Sequence, residues 1–321
     1  MRVLFFEIFE SERNTIQKFL PSDLQAVFTA ATFQSSELTP SSGDVICIRT
    51  QSDFPEDRMK DISAVLSRST GYDHLRKLED RPGMHLGYLP EYCSYAVAEH
   101  AVIMMMMLLR RIKKQTVQMT DFNREDLTGR QIPGKKVMIC GVGNIGSEIY
   151  RLCSKLGMNC AGFDIDRRFE EVRYVSLSEG VQTSDVIICA LPLTDRTEGL
   201  LDYKQLASGK SDKILVNISR GEITPAADLE RLLTERKLSG VGLDVFADES
   251  VFADSLRSHN PVLVSDHQTL LRLQNREDVL MTPHNAFNTS EALEQKSLLT
   301  VQSLIHYQKY GAFPCEVSAS A

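Results

Sequence analysis

The chain alternates short, unbroken apolar runs with stretches in which apolar residues return every three or four positions. Val137-Met138-Ile139-Cys140, Val186 to Ala190, Ile214 to Ile218, Val241 to Asp244 and Val279 to Met281 have the length and continuity of strands buried on both faces, as parallel sheets require. Asn159 to Phe163 makes a further strand. Ile145, Ile149, Leu152, Cys153 and Leu156 mark one helix face, and helical patterns run through Ala226 to Glu235 and Glu291 to Tyr310. An open parallel sheet follows. In the first third, Val3 to Ile8, Val45 to Ile48, Ala64 to Ser67 and Met84 to Gly87 read as strands between polar segments holding Pro21, Pro40 and Pro55, a small α/β unit. Pro90-Glu91-Tyr92 makes a hinge, and one long helix is predicted from about Ser94 towards Thr120. Its Met104 to Met107 run fills core or a subunit contact rather than binding a metal, because thioethers at helical spacing fill space. Arg110, Arg111, Lys113 and Lys114 suit the end of its dipole or solvent.

The wiring around Gly141-Val142-Gly143-Asn144-Ile145-Gly146 is the most informative feature, because the loop leaves a strand and opens a helix. Gly141 allows a tight turn, Gly143 lets backbone N–H groups approach a pyrophosphate, and Gly146 lets helix and sheet pack closely. Asn144 and Ile145 place those phosphates at the helix N-terminus. Asp164 ends the next strand, 18 positions beyond Gly146, where a carboxylate binds ribose hydroxyls and repels a 2′-phosphate. NAD is therefore expected over NADP, with Arg167 and Arg168 near enough to soften the preference. Gly240-Val241-Gly242 lacks the third glycine and is no second loop.

Composition narrows the class. A chain of 321 residues is long enough for two domains. A net charge of -7 excludes the electrostatic footprint of a nucleic-acid binder. The longest apolar run, Ala101 to Leu109, is too short to span a membrane. Met1 to Glu7 meets an acid before a signal-peptide core forms, so a cytoplasmic protein is expected. Seven cysteines without a C-x-x-C pair point to buried thiols, with no disulfide framework and no metal.

In open parallel sheets ligands sit beyond the carboxyl ends of the strands. Pro192, Ser219, Arg220, Asp244, Glu249 and His284 are placed there, with Pro192, Ser219 and Asp244 expected at the cofactor. Arginine can hold a carboxylate in two hydrogen bonds while polarising the adjacent carbonyl. Histidine can give that carbonyl oxygen a proton as hydride reaches carbon, and a carboxylate beside it fixes the tautomer and keeps a proton available. Singly, each has a bland alternative: Arg220 and Glu249 as structural ion pairs, His284 as a buried, satisfied histidine. His74, His85, His100, His259, His267 and His306 compete for the base role, but none follows a strand of the nucleotide-binding half. Of these, His100 is read as packing at a helix start. Thr70-Gly71, after a strand end, can expose N–H groups to an anion or simply make a turn.

The glycine loop, Val216-Asn217-Ile218-Ser219-Arg220-Gly221, Leu243-Asp244-Val245-Phe246 and Thr282-Pro283-His284, in this order and spacing, resemble the D-isomer-specific 2-hydroxyacid dehydrogenase family throughout the chain. The resemblance implies two doubly wound parallel-sheet (Rossmann/flavodoxin-like) α/β domains with a cleft between them. Residues 1–98 and 288–321 form the substrate domain, and 99–287 the NAD domain. It implies Arg220 for the substrate carboxylate, His284 as acid/base and Glu249 as its partner, with Thr70, Gly71, Tyr92 and Phe287 on the substrate side. A homodimer through the nucleotide domains is implied as well. Within the family the likeness is nearest to fermentative D-lactate dehydrogenases, through Pro90-Glu91-Tyr92 before Ala96-Val97-Ala98-Glu99-His100-Ala101, through Pro283-His284-Asn285-Ala286-Phe287, and through the polar insert after Glu249. Cys93-Ser94-Tyr95 departs from the family's usual stretch.

The leading expectation is NADH-dependent reduction of a small 2-oxo acid, pyruvate first, to the D-2-hydroxy acid. Alternatives are bulkier 2-oxo acids, hydroxypyruvate or glyoxylate, and, from another class, an NAD-sensing corepressor-like protein. No disordered tail beyond Cys315 is expected to serve the latter.

Overall fold

The computed structural model describes residues 1–258 and 265–317. Its contacts separate two compact units, one of residues 1–93 with the chain from Asn288 onward, the other Ser94–Phe287. His259 and the residues after Val317 lie outside the described part.

In the first unit, β1 (Arg2–Phe5), α1 (Glu10–Phe19), β2 (Gln25–Phe28), β3 (Val45–Ile48), β4 (Ala64–Ser67) and β5 (His85–Gly87) build a five-stranded sheet. The order is β2-β1-β3-β4-β5 and every pairing is parallel. Because side chains alternate along a strand, Val3, Phe5, Val45, Cys47 and Leu66 share one core while Leu4, Phe6, Ile46, Ile48 and Val65 share the other. β1 stops at Phe5 rather than reaching Ile8, because Glu7 adopts a left-handed φ of 53°. That turn aims its carboxylate back at Arg49 N, Gln51 N and the Ser52 hydroxyl, at 3.0, 2.9 and 2.6 Å.

The second unit begins with α2 (Ser94–Leu109) and α3 (Ile112–Gln118), followed by β6 (Lys136–Cys140), α4 (Asn144–Lys155), β7 (Asn159–Phe163), α5 (Leu177–Thr183) and β8 (Val186–Cys189). It continues through α6 (Tyr203–Leu206), β9 (Lys213–Asn217), α7 (Ala226–Thr234), β10 (Leu238–Leu243), α8 (Glu249–Ser258), α9 (Ser265–Gln274) and β11 (Val279–Met281). Its sheet is fully parallel in the order β11-β10-β9-β8-β6-β7. The last helix, α10 (Ser290–Tyr310), returns to the first unit, where Val301 and Leu304 complete the core under β1 and β3.

The single long helix expected towards Thr120 is two helices. Arg111 takes a left-handed φ of 52°, and the incoming Arg130 N–H captures the Leu109 carbonyl at 2.8 Å. Gly129 makes that approach possible, since a Cβ there would stand 2.7 Å from the Leu109 oxygen. The basic cluster is also partly structural: Lys113 Nζ donates to the carbonyls of Gln274, Arg276 and Val279 at 2.7 to 2.9 Å. Met104 and Met105 are buried whereas Met106 is exposed. Gly240 and Gly242 lie in β10 against Leu108 and Met104, where they admit α2 close to the sheet. All seven cysteines are free, five of them buried and Cys160 and Cys315 half-buried. Among the described residues no helix is long and apolar enough to cross a membrane, and no group of three His, Cys, Asp or Glu side chains could hold a metal ion.

Candidate active site

A parallel sheet delivers all its strand ends to one edge. Along that edge of the second unit come the glycine loop after β6, Pro192 after β8, Ser219 and Arg220 after β9, Asp244 and Glu249 after β10, and His284 after β11. Gly141 turns with φ 91°, and a Cβ there would stand 2.6 Å from the Ala190 oxygen. Gly146 faces the Gly141 carbonyl closely enough that any side chain would overlap it. Gly143, by contrast, has no heavy atom within 4 Å of the position a Cβ would take, so the space before the α4 N-terminus is open. No side chain caps α4, which starts at Asn144 and Ile145, so its first N–H groups and the positive end of its dipole face that space. Asp164, at the end of β7, accepts from Val142 N at 2.6 Å and from Asp166 N at 2.9 Å, tying the carboxylate to the loop. A cradle with these N–H groups and this acid fits a dinucleotide.

The neighbouring turns are braced. Ser219 Oγ donates to the Leu191 carbonyl beside Pro192, and Thr197 Oγ1 donates to the Pro192 carbonyl at 2.6 Å. Asn217 holds the next turn, with Nδ2 donating to the Arg220 carbonyl at 2.8 Å and Oδ1 accepting from Ser219 N at 3.0 Å. The Arg220 guanidinium donates to the Ser219 carbonyl at 2.8 Å.

His284 and Glu249 meet. Nδ1 lies 2.8 Å from both carboxylate oxygens of Glu249, which opens α8. Among the described residues no hydrogen bond engages the other ring nitrogen, Nε2, and the Phe287 ring stands edge-on at 6.4 Å. Both members depend on strained backbone: His284 has φ 48°, and Asp248, immediately before Glu249, has φ 49°.

What holds His284 there is Asp244. Its fully buried carboxylate accepts from Thr282 Oγ1 at 2.5 Å and from the backbone N–H groups of Asn285 and Ala286 at 2.9 and 3.0 Å. Expected at the cofactor, Asp244 has both oxygens engaged with the turn that carries the histidine. His100, read from sequence as helix-start packing, sets Nε2 3.1 Å from Thr282 Oγ1 and 3.7 Å from Asp244. The signal for Asp244 was an acid closing an apolar strand; for His100 nothing local existed. Of the other histidines described, His74 lies 2.9 Å from Ser67 Oγ, His85 pairs with Glu316, His306 with the Ala312 carbonyl, and His267 is buried against Phe252.

The substrate-side residues of the first unit form their own cluster. Thr70 and Gly71 follow β4, and no hydrogen bond among the described residues uses their N–H groups. Ser69 Oγ donates to the Gly71 carbonyl at 2.8 Å, Thr70 Oγ1 lies 3.8 Å from Cys93 Sγ, and the Tyr92 hydroxyl donates to the Arg68 carbonyl at 3.5 Å. Burial pushes both the Tyr92 hydroxyl and the Cys93 thiol up from their ordinary values.

Residues 102–286 match the family described as D-isomer specific 2-hydroxyacid dehydrogenase, NAD binding domain. A D-lactate dehydrogenase of Escherichia coli is 34% identical over 241 residues, covering 73% of this chain and 72% of that one. A D-specific alpha-keto acid dehydrogenase of Enterococcus faecium is 26% identical over 253 residues, 77% and 76% of the two chains. Among solved structures, the apo-structure of the Escherichia coli D-lactate dehydrogenase superposes with a TM-score of 0.80 at 27% identity, over 99% of this chain and all of that one. D-lactate dehydrogenase from Aquifex aeolicus, complexed with NAD and lactic acid, shares the fold with a TM-score of 0.87 at 24% identity, over 99% and 100%.

Proposed function

Because the chain belongs to the D-isomer specific 2-hydroxyacid dehydrogenase family and is an NAD-dependent oxidoreductase, we propose that it reduces a small 2-oxo acid, pyruvate first, to the D-2-hydroxy acid. The observation that carries this reading is the His284–Glu249 pair at 2.8 Å on the strand-end edge that also bears the nucleotide loop and Arg220.

Bound NADH supplies the hydride and NAD accepts it in the reverse direction. With Nδ1 turned to Glu249, Nε2 of His284 is the atom that gives a proton to the oxo oxygen and takes it back from the hydroxyl. Glu249 fixes ring orientation and balances the charge of the imidazolium. Arg220 holds the substrate carboxylate in two hydrogen bonds and polarises the adjacent carbonyl. Phe287 supplies an apolar wall beside His284. The first unit, as substrate domain, offers the N–H groups of Thr70 and Gly71 to the carboxylate and Tyr92 to the substrate. Gly141, Gly143, Asn144, Ile145, Gly146 and Asp164 hold the dinucleotide, with Pro192 and Ser219 beside it. We further read the exposed Ile103, Met106, Val117, Met119 and Phe122 as the surface that a second copy covers in a cytoplasmic homodimer.

The test is NADH consumption with pyruvate, 2-oxobutyrate, 2-oxoisocaproate, phenylpyruvate, glyoxylate and hydroxypyruvate, followed by chiral analysis of the product. Highest kcat/KM on pyruvate with D-product is expected. Preference for the bulkier acids would overturn the substrate, and tight NADH binding without any turnover would overturn the activity in favour of a sensor.

A further inference from the structure

Helix α2 runs along β10 on a track of two glycines. Leu108 lies over both, with methyl carbons 3.2 Å from the position of a Cβ at Gly240 and 3.4 Å from one at Gly242, and Met104 lies over Gly242 at 3.4 Å. Four residues advance a helix by about 6 Å and two advance a strand by about 6.6 Å, so the next step along the track sets His100 against Asp244. The imidazole arrives there: His100 Nε2 is 3.7 Å from Asp244 Oδ1 and 3.1 Å from Thr282 Oγ1. Bulky side chains in place of the glycines would lift α2 and carry His100 out of range.

The proton count fixes the direction of each hydrogen bond. Asp244 accepts from Asn285 N at Oδ1 and from Ala286 N at Oδ2, so Thr282 Oγ1 gives its one proton to this carboxylate, at 2.5 Å. The hydroxyl can then only accept from His100, whose Nε2 therefore carries a proton. Thr282 is also the root of the turn that bears His284: its N–H donates to the Leu243 carbonyl at 2.9 Å, and its carbonyl accepts from His284 N at 2.9 Å. That turn needs enforcement, because a histidine at φ 48° holds its conformation only when its surroundings over-determine it. We propose that His100 is a positioning residue whose Nε2–H orients the Thr282 hydroxyl towards Asp244 and so holds the turn that presents the His284 imidazole. Its effect on rate rests on the function given above; its hold on the turn does not.

The test compares His100→Gln, whose amide nitrogen can stand where Nε2 stands, with His100→Asn, whose amide is too short to reach Thr282. Two readouts are taken: hydrogen exchange of the Asn285 and Ala286 amides, and steady-state kinetics with pyruvate or the fastest of the oxo acids named above. In His100→Asn the two amides should exchange about tenfold faster and kcat should fall about tenfold, with KM for the oxo acid and NADH affinity within about twofold of wild type. His100→Gln should bring both exchange and kcat back to within about twofold. Wild-type exchange or wild-type kcat in His100→Asn, or a glutamine variant as impaired as the asparagine one, would overturn the proposal and leave His284 as the acid/base. If His100→Asn does not fold, Thr282→Val, which exchanges the hydroxyl for a methyl, decides: faster amide exchange supports the proposal and wild-type exchange overturns it. If the wild type reduces none of the oxo acids, the proposed function fails, while amide exchange still decides whether His100 holds the turn.

Discussion

At the scale of residues, candidates could be named wherever a polar side chain follows an apolar run, whereas the distant contacts that hold them in place could not be read. Arg220, Glu249 and His284 could be named from type and place, whereas the attachment of Asp244 to Asn285 N and Ala286 N could not. Nor could that of His100 to Thr282, 182 positions away. Two variants separate proton transfer from its support. His284→Asn, which suits a left-handed backbone, should lose about a thousandfold in kcat while NADH affinity holds, measured by steady-state rates and cofactor fluorescence. Asp244→Ala leaves the imidazole in place but frees its turn, so kcat should fall by about a hundredfold with His284 still present. Wild-type kcat in either variant would return that residue to a structural part.

At the scale of elements, continuous apolar runs gave most of the central strands to within a residue, because burial on both faces leaves no alternation to misread, but β10 begins at Leu238, ahead of the expected Val241. What failed was the half-exposed or interrupted: β2 at a sheet edge, α8 and α9 in a polar insert, and α2, cut where Arg130 takes the Leu109 carbonyl. The phosphate loop allows an opposed pair of predictions. A methyl at Gly143 meets nothing, so Gly143→Ala should change stability by less than about 0.5 kcal/mol while weakening NADH about tenfold. Gly146→Ala forces a methyl into the Gly141 carbonyl, so it should cost about 2 to 3 kcal/mol of stability as well as cofactor binding. Denaturant unfolding and NADH titration of the two proteins decide; equal stability loss would mean that the loop is not open at Gly143.

At the scale of the whole molecule, two parallel sheets were legible, but the balance of buried charge was not, since Glu12, Arg68 and Lys296 come from chain segments far apart. That balance fixes the response to pH. Burial pushes Glu12 up, but Arg68 and Lys296 more than reverse this and hold it at about 2, so stability present above its ordinary 4.5 should drain away as pH falls towards 2. In alkali two sets of groups oppose each other. Lys213 and Lys296, lowered by burial to about 8 from 10.5, let the unfolded chain bind more protons and raise stability between those values. Cys47, Cys153 and Cys189, pushed up by burial from 9.0 to about 12, hold protons that the unfolded chain releases, and lower stability across that range. At about 1.4 kcal/mol per group and pH unit, three thiols outweigh two lysines above pH 9. Melting temperature should therefore edge upward from pH 8 to 9 and decline beyond; a continued rise to pH 11 would contradict the sign.

The return of α10 to the first unit has a consequence for synthesis. Val301 and Leu304 complete the core begun by Val3 and Phe5, Lys296 reaches Glu12, and Val317 N bonds the Leu86 carbonyl at the sheet edge. On a ribosome the opening segment therefore emerges first and is finished last, with Glu12 and Arg68 waiting for a lysine made some 280 residues after the glutamate. Meanwhile Ser94–Phe287, an uninterrupted stretch, has all its strands and can assemble its nucleotide loop before its elder neighbour closes.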